Sequence, residues 1–318
     1  EFIEPSKLRN YERDFKKEFA GIGVELDTEL SSGDIVVVAA VYGGPAWQAG
    51  IRSGDRIVSV EDIETSGRNL SKIVAQFRGE VGSQVDLCIR KQGVGLNDRS
   101  AIQDITISRR NITIESVRGD RRLPGGNWDW WLEGDPNIAY LRISHFSKRT
   151  DTEVAGLIEK LAFKQPPKGL VIDLRGNSGG ILESGIALCN LFLEDGLIVA
   201  VTNDRLKDRS NRKQLQQKWT ATAGQVLKGV PIAVLVDEFT ASVAEIVAAC
   251  LQDHKRATIV GSRSFGNASV QTITTLSSGP GAIRLTTNEY QRPSGTSLNR
   301  LSTSTESDAW GVRPDSNF

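Results

Sequence analysis

The residue with the clearest chemical potential is Ser242, which follows the apolar segment PIAVLV (231–236) and precedes a segment with helical spacing of apolar residues. A serine at a strand-to-helix turn has an exposed hydroxyl, and the first N–H groups of the helix lie beside it, where they can stabilise an oxyanion. The segment from Ser242 to Glu245 also has the S-x-x-E form of a capping box. Local chemistry alone favours the helix cap over a nucleophile, because serine is preferred at helix N-termini in general.

A glycine-rich loop, DLRGNSGG (173–180), follows a second buried strand segment. Such a loop is typical of a tight turn between a strand and a helix, or of a loop that binds phosphate. Its spacing matches neither G-x-G-x-x-G nor G-x-x-x-x-G-K-[ST], so nucleotide binding is not predicted.

The sequence contains no pattern typical of a metal site. The two histidines, His145 and His254, are far apart and show no HExxH-type spacing. Cys88, Cys189 and Cys250 lie in apolar runs without metal-ligand spacing, which indicates small buried side chains. We therefore expect neither a metal nor another cofactor.

The composition is that of an ordinary globular protein. The 318 residues are 39% hydrophobic and 25% charged, and 39 basic residues balance 39 acidic ones. A nucleic-acid-binding protein would normally have a basic excess or a basic stripe, and the sequence has neither. No apolar run approaches the ~20 residues that cross a bilayer. The chain contains no methionine and opens without a signal peptide, so we expect it to begin inside a longer precursor.

The hydrophobic pattern divides the chain into a β-rich block and an α/β block. Residues 1–18 have the spacing of a weak amphipathic helix. In residues 19–115, short β-branched runs alternate with Gly, Ser and Asp turns, and two segments, 44–50 and 69–79, are predicted as short helices. From residue 137 onwards strand and helix segments alternate, which predicts an α/β sheet buried on both faces. We interpret residues 118–135, which are rich in Gly, Arg and Trp, as the junction between the blocks.

The first block resembles a PDZ domain in two segments, FAGIGV (19–24) and GGPAWQAGIRSGDRIVSVEDI (43–63). The resemblance implies that backbone N–H groups of Gly21, Ile22 and Gly23 bind the terminal carboxylate of a peptide, which adds as a strand to a sheet edge. The partners would be protein or peptide substrates with free apolar C-termini. Arg90 lies where relatives place a cation that contacts the core or the bound tail. A solvated arginine at a strand end is an equally good interpretation.

The second block resembles the carboxyl-terminal processing (tail-specific) serine proteases in TASVAEIVAACLQDHKRATIVGSRSFG (240–266). In this family the serine of the T-A-S unit is the nucleophile, which implies Ser242. The general base is a lysine 25 residues later in an F-G-K unit, and a glutamine four residues further on positions it. The glutamine is present as Gln271, whereas Asn267 occupies the lysine position. Ser–Lys catalysis needs a neutral amine to accept the serine proton, and an asparagine amide has no useful basicity.

The same resemblance implies an oxyanion hole formed by the N–H groups of Val243 and of Gly179 or Gly180. It also implies an α/β protease core with a crotonase-like spiral sheet over residues 116–318. A PDZ-like domain (19–115) is inserted before this core, and residues 1–18 lead into it from an upstream region. We expect an exported protein, periplasmic or membrane-associated, and a homo-oligomer is compatible with the resemblance.

Asn267 leaves three interpretations open. In the first, the natural enzyme has a lysine at this position and the present chain carries a substitution. In the second, the protein is a natural pseudoprotease that binds peptides or scaffolds an assembly. In the third, it is an active enzyme with another base, such as an upstream histidine of the kind used by related Ser-His-Glu branches. The sequence therefore predicts a PDZ-linked serine endopeptidase that is inactive, or nearly so, in this form.

Overall fold

The computed structural model describes residues 2–4, 18–29, 32–93, 102–113, 115–123, 126–164, 166–202, 217–222, 225–276 and 281–315. The chain forms two compact units, one made of residues 12–114 and the other of residues 1–11 and 115–318. The smaller unit is thus inserted in the sequence of the larger one. The helix expected for residues 1–18 falls mainly on residues 5–17, outside the described residues, and its described ends, Phe2–Ile3 and Glu18, belong to strands.

The smaller unit is a β-domain with two described helices. Its elements are β2 (Glu18–Gly21), β3 (Val24–Thr28), β4 (Ile35–Ala40), α1 (Pro45–Gln48), β5 (Arg56–Val60), β6 (Ile63–Glu64), α2 (Leu70–Phe77), β7 (Gln84–Arg90), β8 (Ile102–Ser108) and β9 (Arg110–Thr113). The main sheet has the order β3-β4-β5-β7-β8, with β6 attached to β5, while β2 pairs with β9. Alternate residues of its strands, such as Val85, Leu87 and Ile89 of β7, are buried in one core.

Helix α2 lies against β3, which is an edge strand of this sheet. The helix begins at Asn69, whose side-chain oxygen accepts the N–H of Ser71 at 2.9 Å, and it buries Ile73 and Phe77. The N–H of Gly79, just after α2, donates to the carbonyl of Ala20 at 3.3 Å. The last turn of α2 therefore lies next to the 21–23 loop, and its first turn lies towards the far end of β3.

The larger unit is of the α/β class. Its elements are β1 (Phe2–Ile3), β10 (Val117–Arg118), β11 (Arg121–Arg122), β12 (Trp128–Asp129), β13 (Trp131–Leu132), β14 (Asp135–Ile143), α3 (Thr150–Lys164), β15 (Gly169–Asp173), α4 (Leu182–Phe192), β16 (Leu197–Thr202), β17 (Gln217–Thr220), β18 (Ile232–Val236), α5 (Val243–Asp253), β19 (Thr258–Gly261), β20 (Ser269–Thr275) and β21 (Ala282–Gln291).

The main sheet of this unit has the order β10-β14-β15-β18-β19. Strands β14, β15, β18 and β19 are parallel neighbours, as predicted for strands that alternate with helices. Helix α3 contributes Val154, Leu157, Ile158 and Leu161, spaced for one helical face, to the hydrophobic core that these strands share with α4 and α5. Gly185 of α4 lies against Val243 at the start of α5, and a side chain at Gly185 would overlap it.

Two segments differ from the predicted organisation. The apolar run 197–202, expected as one more strand of the alternating sheet, is β16 of a second, antiparallel sheet with the order β1-β21-β16-β17 and with β20 attached to β21. The segment 118–135, interpreted as a junction, contains β11, β12 and β13, which belong to the larger unit. Within the described residues no helix is long and apolar enough to cross a membrane.

Candidate active site

Three loops of the larger unit leave the main sheet side by side. Asp173 of β15 pairs with Leu235 of β18, and Val236 pairs with Gly261 of β19. Because these neighbouring strands are parallel, their carboxyl ends meet at one edge of the sheet. The loops 174–180, 237–242 and 262–268 therefore converge there, and they contain most of the residues predicted to do chemistry.

Ser242 is the N-cap residue of α5 and has φ 57° and ψ −121°. A positive φ at a non-glycine residue costs on the order of 1–3 kcal/mol and persists only where the surroundings impose it. Ser242 is paired with Glu245 as in a capping box: its N–H donates to the Glu245 carboxylate at 2.9 Å. The Glu245 N–H donates to the Ser242 carbonyl oxygen, also at 2.9 Å, so Ser242 and Glu245 are held together by hydrogen bonds in both directions.

Gly179 packs directly against Ser242. A Cβ added at Gly179 would lie 2.8 Å from the Ser242 Cβ and 3.1 Å from its Oγ. The backbone there has φ +102°, a value that side-chain-bearing residues rarely adopt. At the next position, Gly180, a side chain would overlap the carbonyl oxygen of Phe146. The glycine-rich loop thus approaches Ser242 more closely than any loop with side chains at these positions could.

The two glycines differ in the use of their N–H groups. The Gly179 N–H donates to the side-chain oxygen of Asn177 at 2.8 Å. For the N–H groups of Gly180 and Val243 no acceptor is found within the described residues. Gly180 and Val243 therefore have free N–H donors next to the Ser242 turn, whereas Gly179 shapes the loop.

Aspartates hold the glycine and serine loops together. Asp237 accepts hydrogen bonds from the N–H of Gly176 at 2.9 Å and from the hydroxyl of Thr240 at 3.1 Å. Asp173 is fully buried and accepts hydrogen bonds from Arg175 and, at 2.7 Å, from the hydroxyl of Tyr140. Burial, together with this hydrogen bond and the charge of Asp173, raises the pKa of Tyr140 to about 12.

Asn267 lies in the third loop with its main chain next to that of Ser242. The N–H groups of both residues donate to the same oxygen of Glu245, at 2.8 Å and 2.9 Å. The Asn267 side chain is exposed, and its Oδ1 accepts the hydroxyl of Ser269 at 3.1 Å. Gln271 of β20 donates to Ser269 at 3.1 Å and to Thr286 at 2.8 Å, so it reaches Asn267 through Ser269.

Glu245 is the residue of this site whose full role the sequence did not reveal. Its side chain is completely buried. Burial raises the pKa of the Glu245 carboxyl, and hydrogen bonds from Ser264 and from the N–H groups of Asn267, Gly266 and Ser242 oppose this increase. The S-x-x-E spacing predicts the contact with Ser242 but not the contacts with the third loop.

His254 and Lys255 lie at the opposite end of α5 from Ser242, about 16 Å away for a helix of 11 residues. A ring nitrogen of His254 is 2.7 Å from the carbonyl oxygen of Leu197. Neither residue is placed to act on Ser242. Within the part of the chain that the structure describes, no three His, Cys, Asp or Glu side chains are grouped as metal ligands.

The smaller unit has a separate candidate site at the 21–23 loop, which begins with Gly21 at the end of β2. The carbonyls of Ile22 and Gly23 accept the N–H groups of Ala46 at 2.9 Å and Val41 at 2.8 Å. The N–H groups of Ile22 and Gly23 have no acceptor within the described residues. These free donors lie at the start of edge strand β3 and next to the end of α2, which makes this part of the smaller unit a candidate peptide-binding groove.

Arg90 lies away from the 21–23 loop, at the end of β7. It is half-buried and lines a cavity of about 220 Å³ together with Arg56 and Glu64. Its Nε is buried and has no hydrogen-bond partner among the described residues. Arg90 is thus only partly exposed at the end of its strand.

The two sites are a loop with free backbone donors in the smaller unit and a strained serine near free backbone donors in the larger one. Residues 137–318 match peptidase family S41, and residues 36–91 match the PDZ domain family. The chain therefore belongs to peptidase family S41.

The relatives are carboxyl-terminal processing proteases. The chain is 35% identical to the carboxy-terminal-processing protease of Bartonella bacilliformis, with 99% of this chain and 64% of that protein covered. It is 30% identical to the chloroplastic C-terminal processing peptidase of Tetradesmus obliquus, with 99% and 63% covered. The chain thus spans a little under two thirds of the length of these relatives.

The fold is also that of a solved relative. The structure of the photosystem II D1 C-terminal processing protease matches 99% of this chain and 76% of its own, with a TM-score of 0.55 and 28% identity. The predicted family and the predicted fold class, an α/β protease core with an inserted PDZ-like domain, are confirmed.

Proposed function

We propose that this chain contains the recognition and catalytic units of a serine endopeptidase that processes protein C-termini, with Ser242 as its nucleophile. The observation that supports this most directly is the conformation of Ser242. Its backbone is held at a positive φ, Gly179 packs against its side chain, and the N–H groups of Gly180 and Val243 near this turn have no acceptor within the described residues.

The reaction would follow the usual course of acyl transfer. The Ser242 Oγ attacks the carbonyl carbon of the scissile peptide bond, and negative charge develops on the carbonyl oxygen. The N–H groups of Gly180 and Val243 stabilise that charge, a contribution of ~10²–10³-fold for each donor in comparable sites. Gly179 contributes close packing rather than a hydrogen bond, because its N–H is bound to Asn177.

The step that this chain lacks is removal of the serine proton. The N–H groups of Asn267 and Ser242 donate to the same carboxylate oxygen of Glu245, so the two backbones lie close together. A longer basic side chain at position 267 would therefore start close to Ser242. The asparagine amide cannot accept the proton at neutral pH. We therefore infer that the chain cleaves its substrates barely or not at all in this form.

The groove of the smaller unit supports recognition of a free C-terminus. The N–H groups of Ile22 and Gly23 would bind the carboxylate, and the peptide would extend along β3 as an added strand. Because the carboxylate end lies at the start of β3, the peptide would run antiparallel to it. Val24 and Leu26 of β3 and Leu70 of α2 are half-buried apolar residues packed on the core, and their exposed parts would contact an apolar tail.

A second function is favoured by the contacts of Asn267. Its side chain takes part in a chain of hydrogen bonds with Ser269 and Gln271, so asparagine is accommodated without an unpaired amide oxygen. A peptide-binding pseudoprotease would have this arrangement and would need no base.

The experiment that tests the proposal is Asn267→Lys, with Asn267→Gln as a matched control that lengthens the side chain without adding a base. We expect Asn267→Lys to increase cleavage of an unfolded protein with an apolar tail by ~10²-fold or more, with a rate that rises with pH as the amine loses its proton. Asn267→Gln should stay at background, and adding Ser242→Ala should abolish the gain. Cleavage by the unmodified chain at the rate of Asn267→Lys, or an inactive Asn267→Lys protein, would contradict the proposal.

A further inference from the structure

We propose that Glu245 is a positioning residue that holds the nucleophile loop and the base loop in register, an inference that rests on the proposed function for its catalytic consequence. The side chain is completely buried and accepts four hydrogen bonds. One carboxylate oxygen accepts the Ser264 hydroxyl at 2.5 Å and the Gly266 N–H at 2.7 Å. The other accepts the N–H groups of Ser242 at 2.9 Å and of Asn267 at 2.8 Å.

An ionised carboxylate satisfies this whole set of partners, because each of the four can donate to it. Three of the four are backbone N–H groups, which can only donate. The fourth, the Ser264 hydroxyl, accepts the N–H of Val312 at 2.7 Å and donates its own proton to Glu245. An amide of the same shape would direct its NH₂ group at one or two backbone N–H groups, whichever way it were turned. The acceptor oxygens of Glu245, and not the volume of its side chain, therefore connect the two loops.

Two consequences follow for the site. Ser242 keeps its positive φ because its N–H is fixed, and Glu245 supplies that contact. The third loop is held equally firmly: a side chain at Gly266 would lie 2.7 Å from Arg300 and 2.9 Å from Trp310. Glu245 thus connects Ser242, whose backbone is strained, to the closely packed loop that contains position 267, where the base is expected.

The first test uses the chain as it is. Amide hydrogen exchange should show the N–H groups of Ser242 and Asn267 protected together, and Glu245→Gln should increase exchange at both. Asp253→Asn is the matched control, since it is the same change at the other end of α5 and breaks an ion pair with Arg292. It should leave both amides protected. Unchanged exchange in Glu245→Gln, or loss at only one amide, would overturn the proposal.

The second test measures catalysis in the Asn267→Lys protein. Glu245→Gln should lower kcat by ~10²-fold, the usual cost of misplacing a catalytic group by about 1 Å, and leave KM within about twofold. Ser264→Ala leaves the oxygen shared by Ser242 and Asn267 intact, so its effect on kcat should be much smaller. If Glu245→Gln does not fold, Glu245→Asp, which keeps the charge but is too short to reach both loops, should show the same loss of kcat.

The outcomes separate the two proposals. Full kcat in Glu245→Gln or Glu245→Asp overturns the positioning role while the proposed function stands. An inactive Asn267→Lys protein refutes the proposed function, and the exchange measurement still decides whether Glu245 couples the loops.

Discussion

A single methyl group at Gly179 should remove the nucleophile from its working position. In Gly179→Ala the new Cβ would lie 2.8 Å from the Ser242 Cβ and 3.1 Å from the Ala241 carbonyl oxygen. The backbone at φ +102° adds about 1–3 kcal/mol of strain for any residue other than glycine. Overpacking of this kind costs a further 1–3 kcal/mol, roughly. The expected loss in the free energy of unfolding is therefore about 2–6 kcal/mol.

The matched control lies three residues earlier in the same loop. Gly176 also has a positive φ, +71°, but a Cβ there would meet only the Arg142 side chain, at an ordinary contact distance of 3.7 Å. Gly176→Ala should thus show the backbone cost of about 1–2 kcal/mol alone. The difference between the two variants isolates the contact with Ser242.

Urea denaturation of both variants measures the stability difference, and cleavage in the Asn267→Lys protein measures the effect on Ser242. Gly179→Ala should be less stable than Gly176→Ala by about 1–3 kcal/mol and should abolish cleavage, whereas Gly176→Ala should retain most of it. Equal unfolding free energies, or cleavage in Gly179→Ala at the rate of its control, would refute the close approach of the two loops.

Two further predictions concern recognition and pH. A peptide with an apolar C-terminus should bind the smaller unit at least about tenfold more tightly as the free acid than as the amide, because hydrogen bonds to a charged group contribute ~1.5–3 kcal/mol. Fluorescence anisotropy measures the two affinities. Equal affinities would exclude the 21–23 loop as the carboxylate-binding site. The second prediction concerns Tyr140, whose pKa is raised from 10.0 to about 12. Above pH 10 the tyrosine loses its proton in the unfolded chain but keeps it in the folded chain. The free energy of unfolding should therefore decrease as the pH rises from 10 to 12. Because the side chain is only half-buried, this decrease in the free energy of unfolding should be about 1 kcal/mol. Urea denaturation of Tyr140→Phe over the same pH range should not show the decrease. Parallel pH profiles of the two proteins would contradict the assignment.

The elements around the nucleophile could be predicted because their patterns are local. The apolar run 231–236 and the helical spacing after Ser242 are β18 and α5 in the structure, and the loop between them is where the sequence places it. The sheet to which a buried run belongs is not a local property. The run 197–202 resembles a strand of the parallel sheet in sequence, yet it pairs with β21 and β17 in the antiparallel one.

The candidate site was predicted to a similar extent. Ser242 and the glycine loop could be identified because the motifs that contain them are contiguous in sequence. The separate uses of the Gly179 and Gly180 N–H groups depend on the Asn177 side chain, which no spacing rule specifies. The third-loop partners of Glu245 lie 19 to 22 residues further along the chain and meet it only when β19 pairs beside β18.

The insertion of the smaller unit has a consequence for the order of folding during synthesis. Strand β1 precedes residues 12–114 and pairs with β21, so its partner is made about 280 residues later. Likewise Val312, whose N–H donates to the Ser264 hydroxyl, is made 48 residues after Ser264. Because domains generally fold as units, starting at the N-terminus, we expect the smaller unit to form while the ribosome is still making the larger one. The loops around Ser242 would then be assembled among the last parts of the molecule, after the smaller unit.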